Sequence, residues 1–66
     1  MMTDEKHSAL FEHIKERWPQ LKEKYSVDCV IEHAIAQEKL GFEFSVYSMR
    51  GVLKEFGFKI KPIKGS

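Results

Sequence analysis

Cysteine is almost missing from this chain of 66 residues, with Cys29 its single example. One thiol excludes an internal disulfide and any zinc site built on paired cysteines. Long apolar runs are missing as well. No stretch approaches the roughly 20 consecutive apolar residues that cross a bilayer, and Met1 to Lys6 is polar with no hydrophobic signal core behind it. A cytoplasmic address and no membrane partner are therefore expected. Nor is there a glycine-rich nucleotide loop, a paired-carboxylate site or a nucleophile with its base, so an enzyme is not expected. His7, His13 and His33 are spaced so that no two share adjacent helical turns as metal ligands do; they are read as surface residues, and neither a cofactor nor a metal is expected. Cys29 is read as a semi-buried, inert thiol, since no catalytic histidine can be argued for its surroundings.

What is present suits a folded domain. With 42% hydrophobic and 32% charged residues the chain has too much apolar material for a disordered tail. A domain this short buries only about 60% of its unfolded surface, which makes a homodimer an expected way to complete the core. The charge is unevenly placed. Residues 1–38 carry eight acids against five bases, whereas residues 39–66 carry six bases against two acids. A basic end gains affinity for a polyanion by releasing its condensed counterions, and an acidic end limits indiscriminate sticking.

Helical periodicity dominates. Thr3 is an expected N-cap, with Asp4 and Glu5 in the first turn where the helix dipole favours acids. A first helix over about 4–17 puts Leu10, Phe11, Ile14 and Trp18 inward, and Pro19 should either break or kink it and is placed to open a short second helix over 19–25 with Leu21 and Tyr25 on the same buried stripe. Ser26 is the expected cap of a scaffold helix over 27–40, facing Val27, Val30, Ile31, Ala34 and Ile35 inward and Glu32, Gln37 and Glu38 outward, with Gly41 as its left-handed stop.

The most informative stretch is Ser45 to Phe58. As a helix over about 46–56, capped by Ser45 and stapled by Phe44 onto Met49, it puts Val46, Met49, Leu53 and Phe56 on one stripe, with Tyr47, Arg50, Gly51 and Lys54 opposite. Gly57 stops it. Phe58, Ile60 and Pro62 then alternate with Lys59 and Lys61, the period of an extended segment over 58–63; as a strand it has no evident partner in the chain, so it either pairs with its copy in another subunit or lies over the core. Lys64 to Ser66 are expected to be loose. The fold class is thus mainly all-α, a single three- to four-helix domain with a short C-terminal strand or extended tail.

Helix, turn and capped amphipathic helix, in that order, resemble a helix-turn-helix unit. Over Ile35 to Lys54, Ala36 is the small residue at the helix crossing, Gly41 the turn and Ser45 the start of the recognition helix, with about two residues more between Gly41 and Ser45 than the tightest version has. The combination of W-P-Q-L (Trp18 to Leu21) with F-S-V-Y-S-M-R-G-V-L (Phe44 to Leu53) is similar to small accessory DNA-binding proteins of conjugative or mobilisable plasmids and phages, a likeness covering about Ile14 to Gly57. The resemblance implies sequence-specific binding of double-stranded DNA, as a dimer, by a transcriptional regulator or a DNA-transfer factor. On that reading Ser45 and Ser48 meet phosphate or base edges, Tyr47 meets sugar, phosphate or a thymine methyl, and Arg50 reads guanine. Gly51 lets the helix approach closely, and Lys54, Lys59 and Lys61 clamp phosphates. The alternatives are a plain solvated helix face, a protein-binding inhibitor or adaptor using the same helical surface and anchored by Phe42, Phe44, Val46 and Tyr47, or RNA binding, against which stands the lack of the alternating aromatic sheet of single-strand readers.

Overall fold

A computed structural model describes residues 3–62. Three helices account for the architecture: α1 (Asp4–Leu21), α2 (Cys29–Leu40) and α3 (Val46–Glu55). The domain is all-α, and each pair of helices is in contact. Leu10, Ile14 and Leu21 of α1, Cys29 and Ala36 of α2, and Met49, Val52 and Leu53 of α3 form the core, together with Val27 from the α1–α2 connection. Val52 lies off the stripe read from the sequence, yet it is buried alongside Met49 and Leu53.

Two helix starts follow local chemistry. Thr3 Oγ1 accepts from the Lys6 amide at 3.3 Å, and Ser45 Oγ accepts from the Tyr47 amide at 3.0 Å, each satisfying a donor that the first turn leaves unpaired. Gly41 ends α2 with φ 76° and Gly57 follows α3 with φ 88°, a left-handed region where a Cβ is strained.

Pro19 does not break α1. The helix runs through it to Leu21, and residues 22–26 form turns and bends rather than the second helix expected over 19–25. An interior proline costs about 3 kcal/mol through its missing donor and its clash with the preceding turn. Burying a leucine returns about 1.5–3 kcal/mol, and Leu21 is fully buried. Trp18, one residue before the proline, packs on Phe58 and Phe56 with ring centroids 5.1 and 6.0 Å away. These aromatic neighbours hold the last turn in place. Trp18 is nevertheless 40% exposed and Tyr25 is 83% exposed, so neither is the core aromatic that the stripe suggested.

α2 also differs. Its N-cap is Asp28, whose Oδ1 accepts from the Val30 and Ile31 amides at 3.1 and 3.2 Å, and not Ser26. Val27 cannot join the helix because its backbone is engaged elsewhere: its N–H donates to the Lys59 carbonyl at 2.8 Å and its C=O accepts from the Lys61 amide at 2.9 Å. This is one isolated parallel bridge, Val27 to Ile60. The C-terminal segment therefore has a partner within the chain and lies over the core; residues 63–66 fall outside the described range.

The buried face of α2 is not its most apolar one. Ile31 is 54% exposed, and Val30 and Ala34 are also on the surface. Glu32, expected outside, is only 1% exposed and forms a bidentate ion pair with Arg17 of α1, at 2.6 and 2.9 Å. Gln37, also expected outside, is half-buried, and its Oε1 accepts from the Phe44 amide at 3.1 Å. His33 Nε2 hydrogen-bonds to the Phe44 carbonyl. A buried carboxylate and a buried backbone segment both need partners. Turning α2 to supply them exposes two β-branched side chains.

Candidate nucleic-acid interface

α3 stands on the molecule with Met49, Val52 and Leu53 inward. That orientation puts Tyr47, Arg50, Gly51 and Lys54, spaced at three, one and three residues, on a single outward face. Tyr47 is 56% exposed. Ser48 is half-buried on the flank, and Ser45 is exposed at the N-terminal end with its Oγ occupied in the cap. Glu55 borders the face at its other end.

The electrostatics of this face are simple. Among the described residues the ion pairs are Lys15 with Glu12 and Arg17 with Glu32. Among the same described residues neither Arg50 nor Lys54 is held by a carboxylate. Burial, helped by Asp28, pushes the Cys29 thiol up, and the Arg50 guanidinium partly opposes that shift. Cys29 itself is buried, more deeply than the semi-buried position expected, and its raised pKa keeps it a thiol.

Gly51 is the least expected feature. A Cβ placed there meets nothing within 4 Å, so no internal neighbour requires a glycine at this exposed, mid-helix position. Lys59 and Lys61 are exposed on the tail, hydrogen-bonded through their backbones to Val27 of the α1–α2 connection. Lys59 Nζ lies 4.7 Å from the centroid of the Tyr25 ring. Sequence reasoning does not connect Tyr25 with the tail, because the bridge at Val27 joins segments remote in the chain and leaves no local periodicity to detect.

The apolar anchors expected for a protein partner fare unevenly. Phe42, Phe44 and Val46 are half-buried: Phe44 packs edge-on against His33 at 4.9 Å, and Lys6 Nζ lies 5.3 Å over Phe42. Of that set Tyr47 alone is exposed. His13 is also misplaced by the sequence reading. It is buried, and neither ring nitrogen has a hydrogen-bond partner. Desolvation, and next the positive charge of Arg17, lower its pKa against the opposing pull of Glu32 and Glu16. Among the described residues no group of three or more His, Cys, Asp or Glu side chains could hold a metal. Likewise no described helix is long and apolar enough to cross a membrane.

No family model, no curated protein and no solved structure matches the chain.

Proposed function

We propose that the chain binds double-stranded DNA, laying the outward face of α3 into the major groove as the second helix of a helix-turn-helix, in the role of a small cytoplasmic transcriptional regulator or a plasmid or phage DNA-transfer factor. One observation carries the reading: Arg50 and Lys54 flank an open glycine on an exposed helical face, and neither cation is spent on an internal carboxylate. The groove admits one helix and offers base edges and phosphates together. Arg50 is assigned to bidentate reading of guanine, Tyr47 to sugar, phosphate or a thymine methyl, Ser45 and Ser48 to the helix N-terminal end, and Lys54, Lys59 and Lys61 to phosphates. A homodimer would present two such helices to two half-sites.

A second reading, a protein-binding inhibitor or adaptor, draws on a different surface from the aromatic set around Phe44. Val30 and Ile31 are exposed side by side on α2, and exposed aliphatic pairs suit an apolar partner. Salt titration separates the two. Duplex binding weakens steeply with added salt, whereas an apolar protein interface changes little. On the DNA reading, Arg50→Ala relaxes sequence preference and Lys61→Ala weakens all duplexes alike. If both variants leave duplex affinity at the parent value, the assigned face is wrong.

A further inference from the structure

Among the described residues Tyr25 is by far the most exposed of the large apolar side chains, and its ring lies under a lysine from the other end of the chain. The bridge between Val27 and Ile60 is what brings them together, since Lys59 and Lys61 are the two tail residues hydrogen-bonded to Val27. The same turn carries Lys22 and Lys24. All four lysines are exposed, and among the described residues none has a carboxylate within ion-pair distance. Glu23 and Asp28 are the acids nearby in the chain, and Asp28 is engaged in capping α2. Phe58, the residue before Lys59, donates its N–H to the Leu53 carbonyl of α3 at 3.2 Å, so the tail that carries two of these lysines is tied to α3.

We propose that Lys22, Lys24, Tyr25, Lys59 and Lys61 form a second docking surface for the sugar–phosphate backbone of a duplex, flanking the stretch that α3 enters. The proposal rests on the DNA-binding reading, which already assigns Lys59 and Lys61 to phosphates, and extends it to Lys22, Lys24 and Tyr25 of the α1–α2 turn. Flexible ammonium groups suit phosphates because they bind as point charges without demanding a base. The Tyr25 phenol can donate to a phosphate oxygen, while its ring holds Lys59 at the patch. The α3 face supplies sequence preference, and the turn-and-tail patch supplies affinity that does not depend on sequence.

The test compares the full chain with Lys22→Ala/Lys24→Ala and with Tyr25→Ala, on a long duplex and on one trimmed to the minimal site. Circular dichroism serves as the check on folding, since all three side chains are exposed. On the long duplex the double variant should flatten the slope of log affinity against log salt by roughly 1.8, about 0.9 for each phosphate no longer neutralised, with sequence preference unchanged; Tyr25→Ala should weaken binding in the same sequence-independent way. On the trimmed duplex the variants and the parent should converge. A parental slope for the folded double variant on the long duplex overturns the patch, and leaves the α3 reading standing if Arg50→Ala still relaxes preference. Failure of the parent chain to bind any duplex overturns both. Binding to phosphatidylserine vesicles that these substitutions abolish, with the duplex slope unaltered, would assign the patch to a lipid surface and likewise overturn the proposal.

Discussion

A methyl group at position 51 would meet open space, so the free protein gains nothing from the glycine there. Alanine favours a helix interior over glycine by roughly 1 kcal/mol. Gly51→Ala should therefore raise the free energy of unfolding measured in urea by about that amount while lowering duplex affinity, because the added Cβ sits on the face assigned to the groove. Greater stability with unchanged affinity would show that nothing approaches Gly51 closely. His13 makes a separate prediction. Its folded-state pKa is lowered, by burial first and by Arg17 next, so the unfolded chain binds the proton more readily. Stability is then fully present above the ordinary histidine value of about 6.5 and declines as pH falls from there through the folded-state pKa. The groups facing His13 are Arg17 and Glu16 on its own helix and Glu32 and Lys39 on α2. Urea unfolding at about pH 7.5 and about pH 5.5 should show this loss, and His13→Leu should remove the histidine's share of it.

At the scale of the element, α1 carries a proline that its packing outweighs. Pro19 is exposed, so replacing it sacrifices little buried surface and restores a helical donor. The gain is partly offset by the greater freedom of the unfolded chain, worth about 0.4–1 kcal/mol. Pro19→Ala should stabilise the domain by about 2–2.6 kcal/mol, below the full interior-proline penalty of about 3 kcal/mol. Thermal denaturation of the pair decides it, and destabilisation would mean that the proline sets the exit angle toward the turn. α3 was the most legible element. Its Ser45 cap, its Gly57 stop and the burial of Met49 and Leu53 all follow from residues within a few positions of each other. α2 was the least legible, because the pattern of Val30, Ile31 and Ala34 pointed inward while the partners that orient the helix, Arg17 and Phe44, lie outside it.

Across the whole molecule, the Arg17–Glu32 pair ties α1 to α2 with one partner almost wholly buried. Truncating the cation strands a carboxylate, which costs about 3–5 kcal/mol when a buried pair is broken. Arg17→Met should fall in that range by chemical denaturation. The double variant Arg17→Met/Glu32→Leu should recover most of the loss, since two apolar groups need no charge partner. If the double variant is as unstable as the single one, the pair is not what sets the face of α2.

By itself the sequence determined the all-α class, where α1 and α3 begin, where α2 and α3 end, and that the C-terminal third carries a basic, amphipathic helix. Caps, glycine stops and helical periodicity act within a turn or two, so the chain writes them locally. Only the tertiary structure decided that α1 runs through Pro19, that Glu32 and His13 are buried while Val30 and Ile31 are not, and that Lys59 rests on Tyr25. Each of those outcomes is fixed by a partner brought close by folding, and burial of a polar group against its partner can outweigh the local preference for hiding an aliphatic side chain.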